Sequence, residues 1–202
     1  MSHAGPTVRV LTVSAPTIVL GSSQKEDVVD APLATAKGIE VVRRRSGGGA
    51  VWLDDDLIWV DVFVPAGDQR TDADVGRAMW WLGEAWVQAA SAVGVEGATV
   101  HTGPLRTTPW SSLVCWAGLG AGEVTVDGRK VVGISQRRTR AGALFQCGVL
   151  RRWNPTELID GLVLDDDRRA EAMFALETAG HGLGPELSNA VLAAFIDDLS
   201  QY

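Results

Sequence analysis

Two strand-like segments separated only by Asp127-Gly128-Arg129 constrain this chain most. Residues 123–126 and 130–135 have strand composition, and an Asp-Gly connection forms the tight turn whose twist matches paired strands. The two segments are therefore expected to pair antiparallel. Residues 144–150 follow closely as a further strand. Earlier in the chain, residues 8–20 are rich in Val, Ile, Leu and Thr but broken by Pro16, which predicts two short strands with a bend. Residues 39–45 read as a strand, Ser46-Gly47-Gly48-Gly49 as a turn, and residues 50–52 and 57–64 as strands around the acidic turn Asp54-Asp55-Asp56. Residues 113–116 read as one more short strand, after a loop at 103–111.

Helices interrupt these strands or gather at the end. Asp30 as N-cap and Pro32 start a short helix that ends near Gly38. Val75, Met79, Leu82, Trp86, Ala90 and Val93 recur at spacings of three and four, and Gly94 can close that helix. Asn154-Pro155 opens a helical tail, and Leu187, Val191, Leu192, Phe195 and Leu199 form one face of a final helix. This order predicts an α+β fold, with mixed, largely antiparallel sheets flanked by helices, rather than a regular βαβ alternation. A chain of 202 residues suits a flexible tail at 1–7 and one domain at 8–202, whose helical segment starts at about 154. Such a chain buries roughly 70% of its unfolded surface and needs no covalent staples.

Charge and cysteines narrow the partners. A net charge of −7 argues against nucleic acid. Two cysteines, Cys115 and Cys147, make no disulfide framework. No secretory signal opens the chain, and no apolar run approaches the ~18 residues that span a membrane. These features point to the cytoplasm, with reduced thiols and no membrane partner. No His or Cys pair has metal-ligand spacing, so no metal site is expected, and there is no G-x-x-x-x-G-K-[ST] phosphate loop.

Three places can carry chemistry. In Arg43-Arg44-Arg45-Ser46-Gly47-Gly48-Gly49-Ala50, three glycines remove every Cβ from a turn, so backbone N–H groups can approach an anion or carbonyl. The alternative is a flexible surface turn; arginines beside it in an acidic protein favour a ligand loop. Lys130 follows the tight turn and enters an apolar strand, where its amine could face a reacting carbonyl or phosphate; taken alone, it reads rather as an exposed hairpin lysine. Alternation would place Lys130 with Val132 on one face, and Arg129 with Val131 on the other. Cys115 lies in the apolar stretch Leu113-Val114-Cys115-Trp116 and by itself reads as an inert core thiol, as does Cys147.

Taken together, and in order, these segments resemble a known family. Arg43-Arg44-Arg45-Ser46-Gly47-Gly48-Gly49-Ala50-Val51 is similar to the R-R-x-[ST]-G-G-G-A-V motif of lipoate–protein ligases and their relatives. Pro16-Thr17-Ile18-Val19-Leu20-Gly21-Ser22-Ser23-Gln24 resembles their P-x-x-x-[LI]-G-x-x-Q segment. Gly128-Arg129-Lys130-Val131-Val132-Gly133-Ile134-Ser135-Gln136-Arg137 resembles G-[RK]-K-[IV]-x-G-x-[SA]-Q-R, which holds the family's essential lysine. The likeness spans residues 12–150. It implies the biotin/lipoate protein ligase catalytic-domain fold and a substrate of octanoate, lipoate or a carrier-bound form. Arg44, Arg45, Ser46, Gly47, Gly48, Gly49 and Ala50 would contact that substrate. Lys130 would reach the acyl carbonyl, Gly133, Ile134 and Ser135 would line an acyl tunnel, and Gln136 and Arg137 would complete the substrate contacts. The acceptor would be a lysine of a lipoyl domain or glycine-cleavage carrier protein, and the donor an acyl carrier protein or lipoyl carrier.

The family divides by mechanism. ATP-using ligases carry Asn-Asp seven to eight residues before the lysine, to hold nucleotide and magnesium; here Gly122-Glu123 stand there. Cysteine-dependent octanoyltransferases and amidotransferases resemble C-F-x-x-x-x-x-x-E ahead of G-[RK]-K. Cys115-Trp116, Glu123 and Gly128-Arg129-Lys130 match that spacing. The resemblance thus implies Cys115 as nucleophile and Lys130 as its helper, with no required cofactor, the alternative being an ATP- and Mg-dependent ligase using Lys130. A non-catalytic acyl-binding homologue is a third reading. Replacing Lys130 by Ala is expected to abolish transfer and leave the fold intact. Two departures stand out. The N-A-x-D-E helix of relatives is absent ahead of Pro16, and residues 151–202 are too few for the accessory domain of full-length ligases. Cys147-Gly148 also replaces the His-Gly of many relatives, which is expected to bring a second thiol near the site.

Overall fold

The computed structural model describes residues 5–200. Of the tail expected at 1–7, residues 1–4 lie outside the described residues, and Thr7 already pairs in the first strand. The Asp127-Gly128 turn forms as expected, with positive φ at both residues (50° and 76°). It joins β7 (Val124–Val126) to β8 (Arg129–Thr139). These belong to a six-stranded antiparallel sheet with β1 (Thr7–Leu11), β5 (Leu57–Pro65), β6 (Ala98–Val100) and β9 (Gly142–Leu150), in the order β1-β5-β9-β8-β7-β6. A second, three-stranded sheet holds β2 (Thr17–Leu20) between β3 (Glu40–Arg43), parallel to it, and β4 (Val51–Leu53), antiparallel.

Alternation along the central strands sorts side chains to two faces. Val60, Val62 and Val64 of β5, Phe145, Cys147 and Val149 of β9, and Val132 and Ile134 of β8 share one apolar cluster with the helices α2 (Trp80–Ala92) and α5 (Pro185–Ser200). Trp86 of α2 stacks on Phe195 of α5, ring centroids 3.6 Å apart and nearly parallel. On the opposite face, Leu57 and Leu150 join Ile18, Leu20 and Val51 of the small sheet in a second cluster. Helices α1 (Ala31–Ala36), α3 (Thr156–Asp160) and α4 (Asp166–Leu176) close this side. The side chain of Asp30 caps α1 by accepting from the Leu33 N–H at 3.0 Å.

The fold is α+β as expected, and four local readings change. The helix expected from Val75 begins as α2 only at Trp80, after a 3-10 turn at Arg77–Met79; Gly76 interrupts the earlier turn and Val75 is exposed. Residues 113–116 form no strand. Their backbone makes a single parallel bridge, Val114 with Ala50, then tightens into a 3-10 turn at Cys115–Ala117. The three-residue β6 adds an edge that periodicity is too short to reveal. β8 runs on to Thr139 because β9 continues to pair with it.

Candidate active site

Lys130 reaches the site through a fault in strand pairing. Thr125 stands opposite Lys130 and Val124 opposite Val132, so Val131 is an extra residue in β8. Such a bulge reverses which face the following side chains take. Lys130 is therefore not on the face of Val132, as simple alternation predicts. Its Cε lies 3.3 Å from where a Cβ of Gly133 would stand, on the face away from α2 and α5. Lys130 is 3% exposed, and its Nζ sits 2.8 Å from Glu123 Oε2. The ammonium also donates to the carbonyls of Gly118 (3.1 Å) and Cys115 (3.3 Å), so each of its three protons has an acceptor. Glu123 accepts from the backbone N–H of Gly120 (2.6 Å) and of Ile134 (3.1 Å). A buried lysine and carboxylate are tolerated because each is paired and hydrogen-bonded.

Cys115 is held against the glycine loop. Its N–H donates to the Ala50 carbonyl at 2.9 Å, and the Ala50 N–H donates to Leu113 at 2.8 Å. Arg44 turns back over the loop it precedes. One terminal nitrogen donates to the carbonyls of Gly47 (2.8 Å) and Gly49 (3.0 Å) and lies 3.3 Å from Cys115 Sγ. The glycines are needed for this closeness. Gly48 has φ of 98°, and a Cβ there would stand 2.8 Å from Arg44 Nη2 and 3.5 Å from Cys115 Sγ. A Cβ on Gly49 would lie 2.6 Å from the Val114 backbone. Gln24 ties the upstream motif to the same place. Its side chain accepts from the Gly21 N–H at 2.9 Å and donates to the carbonyls of Ser112 and Leu113, both at 3.1 Å.

A narrow pocket opens from Cys115, Arg44 and Lys130. Its walls are mainly apolar: Val51, Leu57, Trp59, Trp116 and Ile134. Gly133 and Gly148 face each other across β8 and β9 and form its floor. Paired glycines in mid-sheet let other groups approach the backbone, and Lys130 Cε and a Leu57 methyl each lie 3.3 Å from where the Cβ atoms of Gly133 and Gly148 would stand. A wider mouth, formed by Gly47, Gly48, Gly49, Ser111 and Ser112, meets this pocket at Cys115, Lys130 and Ser135.

The expected residues thus divide. Lys130, Cys115, Arg44, Gly47, Gly48, Gly49, Gly133, Ile134 and Ser135 converge on the pocket and its mouth. Ser46 and Ala50 are buried beneath the loop, with Ser46 Oγ 3.3 Å from Ser135 Oγ. Arg45 is exposed, and neither it nor Gln136 or Arg137 lines the pocket or mouth. Gln136 pairs with Phe145, on the helix-facing side of the sheet. The second thiol is not at the site either. Cys147 is fully buried on that same side, opposite Ile134, and burial pushes its thiol up to about 12 from an ordinary 9.0. It is Gly148, the next residue, that faces the pocket. Glu123, Gln24, Trp116 and Gly148 sit at the site without having been assigned roles from sequence. The Glu123–Lys130 spacing and the two glycines within apolar strands were the available signals.

The same architecture is found in a solved structure. A bi-partite lipoate protein ligase from Thermoplasma acidophilum superposes with a TM-score of 0.72 over 96% of this chain and 71% of that one, at 19% identity, which establishes the common fold. Residues 1–176 match the lipoyl protein ligase A/B catalytic domain, and the chain belongs to that family. Among curated proteins it is similar to octanoyltransferase LipM of Clostridioides difficile, 27% identical over 147 residues, 72% of this chain and 54% of that protein. It is 29% identical over 150 residues to LipM of Carboxydothermus hydrogenoformans, again 54% of the relative. The chain spans about half the length of these curated relatives. Among the described residues no helix is long and apolar enough to cross a membrane.

Proposed function

We propose that this chain is a cysteine-dependent octanoyltransferase, moving an octanoyl group from a carrier thioester to a lysine of a lipoyl domain or glycine-cleavage carrier protein. The observation that carries this reading is Cys115 Sγ, 3.3 Å from the Arg44 guanidinium at the point where an apolar pocket meets an open mouth. The LipM relatives support the same reaction class. The acyl tail would run into the pocket past Gly133 towards Gly148, with its carbonyl at the mouth. The Cys115 thiolate attacks that carbonyl, a new C–S bond forms, and the donor's thiolate leaves and takes up a proton. The acceptor amine then attacks the Cys115 thioester, forming an amide, losing its proton and releasing the thiol. Two such steps replace one difficult transfer.

The neighbouring cations divide the work. Arg44 faces the sulfur and can hold negative charge there as the thiolate attacks and leaves. Lys130 is bound to Glu123, so its two carbonyl bonds, at 3.1 and 3.3 Å, are the ones an acyl oxygen could replace. An oxyanion accepting that hydrogen bond would be stabilised by the ammonium charge. No cofactor is needed for this chemistry, and the cytoplasm is its expected place. The test is transfer from octanoyl-loaded acyl carrier protein to a purified lipoyl domain without nucleotide. Transfer is the expected result. Lipoylation that requires ATP and releases pyrophosphate would instead make the chain a ligase.

A further inference from the structure

The acyl pocket ends on a thin wall. We infer that Leu57, backed by Trp116, sets the longest acyl chain the site accepts, by closing the pocket off from a second cavity behind it. The inference rests on the acyl-transfer reading above and adds the feature that selects among its substrates. The second cavity, a cleft partly open to solvent, is lined by the three indoles of Trp52, Trp116 and Trp153, with Leu150, Leu158 and Pro155. It shares only Leu57 and Trp116 with the pocket that opens from Cys115.

Strand register explains the position of the wall. Trp59 stands opposite Gly148, beside the pocket, and Leu57, two residues away on the same face, stands opposite Leu150, which lines the second cavity. The Leu57 side chain leans back over Gly148, its two methyl carbons 3.3 and 3.5 Å from where a Cβ of Gly148 would be. A straight chain entering at Cys115 and running past Gly133 towards Gly148 therefore meets the Leu57 methyls. Leu57 and Trp116 are both buried, at 4% and 5% exposure, so the barrier is packed in place. Asp54, Asp56, Arg152 and Glu157 line the second cavity as well. Its indoles nonetheless offer apolar surface to a chain that passes the wall.

The test reads binding, so that it does not depend on turnover. Affinities of the straight-chain carboxylates from hexanoate to tetradecanoate are measured by calorimetry on the intact protein and on Leu57→Ala. Each methylene that finds apolar surface should tighten binding by about fourfold. Wild-type affinity is expected to rise to octanoate and then fall, whereas Leu57→Ala should keep rising through dodecanoate. Should Leu57→Ala not fold, Leu57→Val, which removes one methylene, must still gain on decanoate relative to octanoate. A folded variant with the wild-type length profile overturns the inference, and so does a wild type whose affinity climbs past octanoate without a break. Octanoylation of Cys115, followed by mass in the wild type, reports separately on the transfer reading. A length shift without that adduct removes the transferase and keeps the wall. An adduct with no length shift does the reverse, and a wild type that binds none of the acids overturns both.

Discussion

The two cysteines lie on opposite sides of one sheet, and the contrast between their surroundings explains how this domain separates stability from chemistry. Cys147 is enclosed among Phe145, Ile134, Trp86 and Phe195, where the strands meet α2 and α5. Cys115 lies on the other side, with a guanidinium at its sulfur, a buried Lys130–Glu123 pair near it, and two glycines where side chains would otherwise fill the space. One face is packed to exclude everything. The other holds a Lys130–Glu123 pair satisfied by each other and by backbone groups, beside the pocket that Gly133 and Gly148 floor. Adjacent residues serve the two purposes: Cys147 the first, Gly148 the second. The bulge at Val131 lets Lys130 join the second face although strict alternation would bury it in the first.

The contrast can be broken most sharply at Lys130. Lys130→Ala should abolish transfer and, unlike the sequence-based expectation of an intact fold, lower stability by about 3–5 kcal/mol, because Glu123 remains buried and uncompensated. Pairing Lys130→Met with Glu123→Gln should recover part of the denaturation midpoint and none of the transfer. Full transfer by either protein would remove Lys130 from the site. On the helix-facing side, Phe145→Ala should cost a similar ~3–5 kcal/mol through the cavity it leaves. Transfer per folded molecule should stay near wild type, and a selective loss of transfer would show that the two faces are coupled.

Smaller effects sharpen the picture. Gly49→Ala forces a Cβ into the Val114 backbone, so overpacking of roughly 1–3 kcal/mol is expected, together with slower acylation as the loop lifts from Cys115. Gly47→Ala has nothing within 4 Å of its new carbon, and its melting temperature should be unchanged. A matching drop in both would mean that loop flexibility, rather than close approach, is what the glycines provide. A further effect appears only in alkali. Cys147 holds its proton in the folded chain up to about pH 12, while the unfolded chain releases it near 9.0. Its contribution to stability is thus complete below pH 9 and is lost as pH rises towards 12. Cys147→Ala should show a shallower loss of stability across that window. Iodoacetamide should likewise modify Cys115 in the native protein and leave Cys147 untouched until unfolding.

Much of the frame is legible in the sequence, for local reasons. The Asp127-Gly128 turn dictates its hairpin, Asp30 its helix cap, and the spacing of Val191, Phe195 and Leu199 the buried face of α5. Each depends on interactions within a few residues. The glycine loop, Lys130 and Cys115 are recognisable as candidates, but only tertiary pairing brings them together, through the Ala50–Cys115 backbone bond. The bulge leaves no compositional trace, since Val131 fits a strand as well as Val132 does, so the facing of Lys130 is misread. Residues 113–116 look like a strand because they are apolar, yet Cys115–Ala117 follows a 3-10 turn set by the loop it packs against. Arg44 reads as a substrate contact, and only its fold back over Gly47 and Gly49 reveals its contact with the sulfur.

The central claim, that Cys115 carries the acyl group, is tested most directly by intact-protein mass spectrometry after incubation with octanoyl-loaded acyl carrier protein, with Cys115→Ala run in parallel. The account predicts a single octanoyl adduct, released by hydroxylamine and absent from the variant. An adduct that persists in Cys115→Ala, or no adduct alongside ATP-dependent modification of a lipoyl domain, would contradict it.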